Sequence, residues 1–483
     1  MKVLLINPPT VNSMKTSQSY FTMSEVNFFP PINLMYLATT LKQQGTHSVK
    51  ILDADIEKKD YAQIAEEALQ ENPHVIGVTA FTLNFYDCME TIRQIKKVLP
   101  KVIICAGGPH TKYFAKETIE QPEIDYVLLG DAEYSFPELL NALEKKQDIS
   151  FVKGVMYKKN KEVITTGPSN TIKDLDNLPF PSIESIDYMK YHSAIGNSRP
   201  VAMIIGSRGC PYQCTFCQSA NTGYRVRSTK SMLDEIQHYL NHGIDEFMFY
   251  DDTFNITAQR VIDFSKGILE HGYKIKWSFR GRIDNVNEEM FRVAKESGLI
   301  LMSYGVEDAT DEGLTAVKRR QTLEHVYKGT ALAKKYKVPI SVNFIIGLPE
   351  HKTKEDARRI IKLAKKLRPD YCQLSIFIPH VGTGLYYEGI KKGILDESFW
   401  KNYARKPYKE AYIPFWEEHL TKQDLGQLIK EAYMTFYFDP FYMLQTLCNV
   451  KGGRDFLVKA KVGLHLFKLF VLRSFSSKAS SAS

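Results

Sequence analysis

The sequence predicts an α/β protein in which a doubly wound parallel sheet is followed by a partial barrel of six strand–helix units and then by a helical region. Short apolar runs alternate with helical patterns over residues 1–145. The alternation resumes over residues 197–390, at about one unit per 30 residues. From residue 391 onward only helical patterns remain. Alternating strands and helices are typical of parallel sheets that helices cover on both faces.

Composition indicates a folded chain of more than one domain. The 483 residues exceed what one hydrophobic core usually organises, so we expect two or three domains. With 44% hydrophobic and 24% charged residues, the chain has the composition of a globular protein. The net charge of +8 is that of ordinary solvated lysines, and no basic stripe with interleaved aromatics precedes the C-terminus. We therefore expect no nucleic-acid partner.

The start of the chain and its cysteines predict a reducing, cytoplasmic location. The first apolar run, Val3–Ile6, ends before Pro8 and Pro9, whereas a secretory signal needs about 7–15 apolar residues. No run of about 18 apolar residues predicts a membrane-spanning helix. The seven cysteines are an odd number, and in a reducing compartment clustered cysteines favour metal binding or catalysis over disulfides.

The first, Rossmann-like sheet is predicted from buried strands with helices between them. One helix is expected over Pro31–Gly45. The strands are Val3–Ile6, Val49–Leu52, Val75–Thr79, Val102–Ala106 and Tyr126–Leu129. In such sheets, ligands bind beyond the carboxyl ends of the strands. Polar or glycine-rich segments follow four of these ends, at Asp53–Asp55, Thr79–Thr82, Gly107–His110 and Gly130–Glu133.

A connector over residues 146–196 precedes the barrel. In it, Val155–Tyr157 and Val163–Thr165 are expected to pair as a hairpin, and the prolines of Leu178–Pro181 favour extended structure. The functional groups of a TIM-type barrel are expected at the C-terminal rim of its strands. The predicted barrel strands are Val201–Gly206, Glu246–Tyr250, Lys276–Arg280, Ile300–Val306, Ile340–Gly347 and Tyr371–Ile378.

The last part of the chain is helical, aromatic and basic. We expect a helical region over 391–475 and a disordered tail over 476–483. Apolar residues recur at helical spacing over 456–472, with lysines between them. This pattern is typical either of a helix packed on the barrel or of a basic amphipathic helix on an anionic membrane surface. The aromatic residues of Tyr433–Tyr442 are expected mostly in the core between domains, and the others are candidates for a substrate pocket.

Cys210, Cys214 and Cys217 follow the first barrel strand with the spacing C-x₃-C-x₂-C. Three thiolates this close together can wrap one face of an iron–sulfur cubane, because soft sulfur ligands suit such clusters. Three ligands for four irons leave one iron open to chelate an amino and a carboxylate group. The alternatives are three unrelated buried cysteines or a structural zinc site. Zinc sites usually have four ligands, often in paired C-x₂-C hooks, and the other four cysteines are isolated.

The segment Gly206–Cys217 resembles the signature of the radical S-adenosylmethionine (SAM) enzymes, in which an aromatic residue, here Phe216, precedes the third cysteine. The resemblance implies that the three cysteines hold a [4Fe–4S] cluster and that the backbone of Phe216 lies near the adenine of SAM. Tyr250–Phe254 also matches the family pattern, which implies that Asp251 and Asp252 lie where the family holds the methionine amino group. A loop or helix cap is the alternative for these two aspartates.

Further strand ends of the barrel match the same family. The resemblance implies that Arg280 or Arg282 pairs with the methionine carboxylate through a bidentate fork, with a surface ion pair as the alternative. Glu307, in Gly305–Asp308, resembles a glutamate that binds the ribose hydroxyls, as opposed to a structural carboxylate. Phe344–Pro349, which contains Ile345 and Gly347, resembles the segment of the fifth strand that packs on adenine in this family. Pro379–Tyr386 resembles the segment that closes the sixth strand.

The close of the sixth strand is similar to one large branch of the family, which has an N-terminal cobalamin-binding domain. Glycines at strand ends let the backbone approach a bulky ligand, and threonine hydroxyls can reach its nucleotide tail. The residues that we expect to contact cobalamin are Thr79, Thr82, Gly107, Gly108, Gly130 and Glu133. Residues 53–58 lack the histidine and glycine of the motif Asp-x-His-x-x-Gly. Cobalamin is therefore expected without a lower histidine ligand, and a domain kept only as a scaffold is the alternative. His110 is expected to be a loop histidine.

The resemblance implies an enzyme that uses a [4Fe–4S] cluster, SAM and cobalamin, with methylation of an unactivated carbon as the leading reaction. The alternative reaction is a radical cyclisation, ring contraction or oxidation without methyl transfer. Enzymes of that kind share the same motifs, so the sequence does not separate the two. A non-catalytic cobalamin or cluster sensor is an alternative from another class, although no DNA-binding or signalling module is evident. The expected partners are a small-molecule or lipid-like substrate and a reductant such as flavodoxin or ferredoxin. A peripheral membrane contact through 456–472 is the further expectation.

Overall fold

The computed structural model describes residues 1–14, 29–45, 47–193 and 200–450, and beyond them the pairs 452–453, 456–457, 459–460 and 463–464. The chain divides into two compact units. The described part of the first unit comprises residues 1–14, 30–45, 47–190 and 396–412. The described part of the second unit comprises residues 29, 191–193, 200–395 and 413–450, together with the four pairs beyond 450.

The first unit is built on a seven-stranded sheet. Its order along the sheet is β2-β1-β3-β4-β5-β6-β7, and the first five strands are parallel. The strands are β1 (Lys2–Asn7), β2 (Ser48–Asp53), β3 (Val75–Thr79), β4 (Ile103–Gly107), β5 (Tyr126–Leu128), β6 (Val155–Lys159) and β7 (Glu162–Thr165). The helices are α1 (Ile32–Gln43), α2 (Ala54–Glu57), α3 (Tyr61–Glu71), α4 (Phe85–Val98), α5 (Thr111–Ile119) and α6 (Ser135–Glu144).

The doubly wound sheet predicted from the sequence is confirmed. Strand β1, which lies between β2 and β3, is apolar over Val3–Ile6, and these four residues are almost fully buried, as expected for a strand covered by helices on both faces. The hairpin expected in the connector also forms. Its strand β6 pairs antiparallel with β5, with Tyr126 opposite Tyr157, so the hairpin extends the edge of this sheet.

The second unit contains the predicted six-stranded partial barrel. All six strands are parallel and follow one another in sequence order across the sheet. A short ribbon of β9 (Ser207–Arg208) and β10 (Arg225–Val226) follows the first of them. The barrel strands are β8 (Ala202–Ile204), β11 (Glu246–Phe249), β12 (Lys276–Gly281), β13 (Leu299–Glu307), β14 (Ile340–Ile346) and β15 (Tyr371–Ile376).

Seven helices of the described chain lie between and after the barrel strands. They are α7 (Thr229–Leu240), α8 (Ala258–Glu270), α9 (Glu288–Glu296), α10 (Asp311–Ala316), α11 (Leu323–Lys335), α12 (Lys354–Leu367) and α13 (Gly384–Lys391). Each begins after a residue whose side-chain oxygen accepts a hydrogen bond from a free backbone N–H of the first turn, which stabilises the helix start. These residues are Ser228, Thr257, Asn287, Thr310, Thr322, Thr353 and Thr383.

Within residues 396–450, the structure has the helices α14 (Ser398–Arg405), α15 (Lys422–Tyr437) and α16 (Pro440–Cys448). Helix α14 belongs to the first unit and packs on α5. Helix α15 packs on β15, which is an edge strand of the barrel sheet as far as the chain is described. The hydroxyl of Tyr437 donates to the carbonyl of Cys372 at 2.7 Å, and that of Tyr433 donates to the carbonyl of Leu374 at 2.9 Å. The hydroxyls of these two tyrosines therefore supply hydrogen-bond donors to backbone carbonyl groups of the edge strand β15.

The C-terminal predictions are described only in part. Of the predicted amphipathic segment 456–472, the structure describes 456–457, 459–460 and 463–464, and the tail 476–483 lies outside the described residues. Among the helices of the described ranges, none combines the length and the apolar character that crossing a membrane requires.

Candidate functional site

The cysteine segment lies between the two strands of the β9–β10 ribbon. Gly209 has a φ of 84°, and a Cβ at this position would lie 1.8 Å from the carbonyl oxygen of Gly223, so the turn accepts only glycine. The N–H of Cys210 donates to Oγ1 of Thr222 at 3.2 Å. The N–H of Asn221 donates to the carbonyl of Tyr212 at 2.8 Å. The ribbon and these bonds hold the cysteine segment as a closed loop after β8.

Cys210, Cys214 and Cys217 line one cavity of about 300 Å³ at the C-terminal ends of the barrel strands. Cys210 and Cys214 are buried and Cys217 is half-buried. Burial raises the pKa of the Cys217 thiol, and the neighbouring sulfurs of Cys214 and Cys210 raise this pKa further. Three soft donors that repel one another as thiolates form a set that cationic iron would stabilise. The donor set and the cavity therefore fit a [4Fe–4S] cluster.

Two polar side chains contact the cysteine sulfurs directly. Oγ1 of Thr253 lies 3.6 Å from Sγ of Cys210. Nη1 of Arg319 donates to Sγ of Cys214 at 3.7 Å, and its Nη2 donates to the carbonyl of Gly305 at 2.8 Å. The cysteine segment is thus joined to the end of β13, although these residues lie far apart in the sequence.

Glu307, the predicted ribose-binding residue, lies in the same cavity as the cysteines. It is the last residue of β13 and has a φ of 75°, which is uncommon for a residue other than glycine. The pairing of β13 with β14 shifts between Gly305 and Glu307, so an irregularity turns the strand end. Burial raises the pKa of Glu307, and the nearby Arg319 and Arg282 oppose this rise.

Asp251 and Asp252 have different surroundings. Asp252 lines the cavity and accepts a hydrogen bond from the hydroxyl of Ser219. Asp251 is buried outside the cavity lining, where it accepts hydrogen bonds from the N–H of Gly206 and the hydroxyl of Ser207. Burial raises the pKa of Asp251 to about 6. Of the two adjacent aspartates, Asp252 therefore lies in the cavity with the cysteines. Asp251 instead holds Gly206 and Ser207, which precede the cysteine segment.

The two candidate arginines also differ. The guanidinium of Arg282 is buried and forms a bidentate pair with Asp284, at 2.9 and 2.7 Å. It also stacks on Tyr212, with its centre 3.8 Å from the ring centroid. Arg280 lines the cavity, is exposed to solvent and lies 4.6 Å above the ring of Tyr250. Arg282 also lines the cavity, and although its Nε and Nη2 are engaged by a carboxylate of the chain itself, its buried Nη1 has no hydrogen-bond partner among the described residues. Both arginines therefore stay candidates for an external carboxylate, and Arg280 is the one with a solvent-exposed side chain.

Phe216 and Ile345 form an apolar side of the cavity. Both pack against a buried cluster that includes Leu348 and Trp416. Gly347 does not line the cavity. Its φ of 85° turns the chain after β14, and a Cβ there would lie 2.5 Å from the side chain of Leu425. The cavity thus combines sulfur ligands, charged groups and an apolar wall, and Gly347 supports the turn next to that wall.

Sequence reasoning missed several polar residues of the cavity. Asn343 on β14 and Gln373 on β15 are register partners that both line it, as does Ser303 on β13. Strand alternation offered a signal for the first two, because they are polar residues at alternate positions of apolar strands. Arg319 has no such signal, since it follows α10 in a turn.

The predicted cobalamin residues lie at the carboxyl edge of the first unit's sheet. Thr79 and Gly107 are the last residues of β3 and β4 and face each other in register. Gly108 has a φ of 105°, and a Cβ there would lie 2.9 Å from the carbonyl oxygen of Ala80. Gly130, beyond β5, has a φ of 68°, and Glu133 is buried. An edge lined by glycine backbone fits a broad, flat ligand such as cobalamin.

His110, Asp53 and Asp55, near this edge, all contact other groups of the chain. His110 is fully buried and stacks on Phe85 with 3.8 Å between ring centroids, and burial lowers its pKa to about 3. Nδ1 of His110 lies 3.1 Å from the hydroxyl of Thr82, so this threonine is already engaged. Asp53 accepts a hydrogen bond from the side chain of Asn7 at 2.8 Å, and Asp55 accepts one from Thr10 at 2.7 Å. The histidine is a core residue, and these aspartates are structural.

Comparison with known proteins assigns both units. The model of the B12 binding domain matches residues 25–140, and that of the Radical SAM superfamily matches residues 204–378. A protein of Pyrococcus horikoshii, named as an uncharacterized methyltransferase, is 30% identical over 96% of this chain and 97% of its own length. The anaerobic magnesium-protoporphyrin IX monomethyl ester cyclase of Cereibacter sphaeroides is 27% identical over 74% of this chain, and the match spans only 60% of the cyclase.

A solved structure has the same fold over the whole chain. It is that of the radical S-adenosylmethionine methyltransferase TsrM from Kitasatospora setae, with a TM-score of 0.70 and 18% identity over 100% of this chain and 99% of that chain. The near-complete coverage by the methyltransferase of Pyrococcus horikoshii and the two domain matches agree with the three-cysteine cavity. The chain therefore belongs to the family of radical SAM enzymes that have a B12-binding domain, and its cofactors are a [4Fe–4S] cluster, S-adenosylmethionine and cobalamin.

Proposed function

We propose that this enzyme methylates an unactivated carbon of a small molecule, with SAM and cobalamin as cofactors. The observation that carries the proposal is the single cavity in which three cysteines lie together with Glu307, Asp252 and Arg280. This set offers ligands for a cluster and groups of both charges for the polar parts of SAM. When bound, the cluster supplies the electron that cleaves SAM to a 5′-deoxyadenosyl radical, and cobalamin supplies the methyl carrier. The relative of nearly equal length is named as a methyltransferase, which favours this reaction.

The roles of the cavity residues follow from their surroundings. Cys210, Cys214 and Cys217 would hold the cluster. Asp252 would accept a hydrogen bond from the methionine amino group, and Arg280 would pair with its carboxylate. The ribose hydroxyls would donate to Glu307. The adenine would lie on the apolar wall formed by Phe216 and Ile345, with the turn at Gly347 behind it.

In the first unit, the cobalamin would lie along the carboxyl edge of the sheet. The backbone at Gly107, Gly108 and Gly130 would allow its close approach, and Thr79 would reach its nucleotide tail. His110 is buried in the core, so the chain would bind cobalamin without a histidine on cobalt. The absorption spectrum of the reconstituted protein tests this, because a His110→Phe variant should bind cobalamin with an unchanged spectrum.

Labelled SAM tests the reaction itself. With a low-potential reductant and SAM carrying a labelled methyl group, we expect 5′-deoxyadenosine to form and label to appear on cobalamin and then in the product. Production of 5′-deoxyadenosine with no label on cobalamin or in the product would contradict methyl transfer. That outcome would favour a radical cyclisation or oxidation, the second candidate, to which the 27% identity with the ester cyclase points.

The same assay separates an enzyme from a sensor. A non-catalytic sensor would bind the cluster and cobalamin without forming 5′-deoxyadenosine under dithionite. Enzymes of this superfamily act on small molecules and receive electrons from an external reductant. For this chain we propose a small reductant of the flavodoxin or ferredoxin type, and a comparison of the rate of 5′-deoxyadenosine formation with each would test the assignment.

We propose that the protein is cytoplasmic and binds peripherally to the inner membrane surface. Phe441, Leu444 and Leu447 recur at helical spacing on α16 and are 70%, 59% and 57% exposed. The segment 456–472 continues with apolar residues and lysines, a combination that suits an anionic lipid surface. Co-sedimentation with anionic vesicles should decrease when the chain is truncated after Asp455. Unchanged co-sedimentation would contradict the contact, and a lipid-like substrate would lose its main support.

A further inference from the structure

Arg319 is a buried cation in direct contact with a cysteine of the cavity. It is 9% exposed, and its Nη1 donates to Sγ of Cys214 at 3.7 Å. Its own carbonyl accepts a hydrogen bond from Nη2 of Arg282 at 2.7 Å. The side chain of Gln321 donates to the carbonyl of Gly305 at 3.0 Å, next to the bond from Arg319 to the same oxygen. The guanidinium is therefore held between the sulfur and the carbonyl of Gly305, and the backbone of Arg319 is fixed separately by Arg282.

The backbone on both sides of Arg319 is in the left-handed region. Its two neighbours, Lys318 and Arg320, have φ values of 53° and 57°, in the left-handed region that residues other than glycine rarely adopt. Both neighbours have exposed side chains, whereas Arg319 points into the cavity.

We propose that Arg319 is a positioning residue that sets the reduction potential of the cluster through the sulfur of Cys214. The inference rests on the proposed function, because it requires that Cys214 holds the cluster. Reduction adds one electron from an external donor to the cluster and makes it more negative. A buried N–H donor and its positive charge, both at the ligating sulfur, stabilise that added charge more than they stabilise the oxidised form. Arg319 should therefore raise the potential.

Glu307 opposes this effect. Its Oε1 lies 3.6 Å from Nη2 of Arg319, so the carboxylate partly balances the cation in the buried site. Removal of the carboxylate charge in Glu307→Gln should shift the potential upward, which is opposite in sign to the effect of removing Arg319. A general disturbance of the site would move both variants in the same direction.

The test is a redox titration of the reconstituted full-length enzyme without SAM. The electron paramagnetic resonance signal of the reduced cluster measures the fraction reduced at each potential. For Arg319→Met we expect an approximately tenfold fall in the equilibrium constant for reduction, a downward shift of about 59 mV for one electron. The matched control is Arg320→Met, which removes the same charge from the next, exposed residue. It should leave the potential at the wild-type value.

Equal potentials in Arg319→Met and the wild type would overturn the inference. If Arg319→Met does not assemble a cluster, then Arg319→Gln and Arg319→Lys replace it, with iron content measured for each. The glutamine variant, which lacks the charge, should shift further down than the lysine variant, and wild-type potentials in both would equally overturn the inference. A wild-type enzyme that binds no iron at Cys214 would instead contradict the proposed function.

Discussion

Nε2 of His351 lies 2.7 Å from Oδ2 of Asp308, and both side chains are buried. The N–H of Gly347 donates to Nδ1 of the same ring at 3.0 Å. Because Nδ1 accepts this bond, the ring proton is on Nε2 and is donated to Asp308. The histidine thus ties the turn after β14 to the end of β13. Glu307 and Ile345, on the two strand ends that it joins, line the cavity.

His351→Ala should loosen this tie. We expect the free energy of unfolding to fall by about 2–3 kcal/mol, because the variant removes the bonds that His351 makes to Oδ2 of the buried Asp308 and to the N–H of Gly347. Binding of SAM should weaken as Glu307 and Ile345 lose their relative position. Chemical denaturation and calorimetric titration with SAM measure the two effects. His419→Ala, at an exposed histidine, is the control, and equal stability of the two variants would contradict the structural role.

Glu307→Gln should raise the dissociation constant of SAM by roughly tenfold, because a hydrogen bond to a charged acceptor contributes about 1.5–3 kcal/mol. The variant keeps the size of the side chain and removes its charge. Calorimetric titration of the reconstituted enzyme measures the change, with iron content as a check that the cluster is intact. The exposed Glu312 on α10 gives the matched control, Glu312→Gln. Equal affinities of both variants for SAM would argue against the ribose contact.

Cys214→Ala should abolish both the cluster and the cleavage of SAM, because two thiolates cannot replace three in holding the cubane. Iron content, visible absorption and 5′-deoxyadenosine formation under dithionite report these losses. The control is Cys448→Ala, since Cys448 is exposed on α16. Cleavage of SAM that survives in Cys214→Ala would refute the assignment of the cluster ligands.

Gly108→Ala should destabilise the first unit and weaken cobalamin binding. The added Cβ would lie 2.9 Å from the carbonyl oxygen of Ala80. The alanine would also have to adopt a φ of 105°, which residues other than glycine rarely do. Gly45→Ala is the control, because Gly45 has a φ of 69° but no atom within 4 Å of the added Cβ. We expect a loss of about 1–3 kcal/mol for Gly108→Ala beyond that of the control. Cobalamin retention and thermal unfolding would show the difference, and identical behaviour of the two variants would contradict the close approach.

The pH dependence of stability should reveal Asp251. Burial raises its pKa to about 6, so between the unfolded pKa of 3.8 and about 6 the native state keeps a proton that the unfolded state has lost. Stability therefore falls as the pH rises through this window and levels off above it. From pH 5 to 7.5 the wild type should lose about 1 kcal/mol relative to Asp251→Asn, which has no proton to release. Denaturation of the cluster-free chain measures this, and parallel curves for the two proteins would contradict the shift.

The strands of both sheets, the connector hairpin and the cysteine motif were predictable from sequence because each depends on neighbours close along the chain. Apolar runs of strand length and helical periodicity are local patterns, and Cys210–Cys217 is one short segment. The structure confirms a doubly wound sheet followed by a partial barrel in this order.

The composition of the cavity was decided by the tertiary structure. Sequence alone left Arg280 and Arg282 as equal candidates, and the fold gives them different surroundings in the same cavity, because Arg282 is buried and paired with Asp284 whereas Arg280 is exposed. It likewise grouped Asp251 with Asp252, which the fold turns to different surroundings.

Arg319 shows the physical reason for this division. It lies 105 residues from Cys214, the sulfur that it contacts. No local pattern encodes a contact over that distance, because it exists only after the ends of β12 and β13 bring the turn of Arg319 to the cysteine segment. The sequence by itself determined the order of the strands through short-range periodicity, the cluster ligands through the spacing of three cysteines, and SAM and cobalamin through the resemblance of its motifs to a known family. The folded barrel decided which charged groups surround the cysteines, because those contacts depend on strands that pair across long stretches of chain.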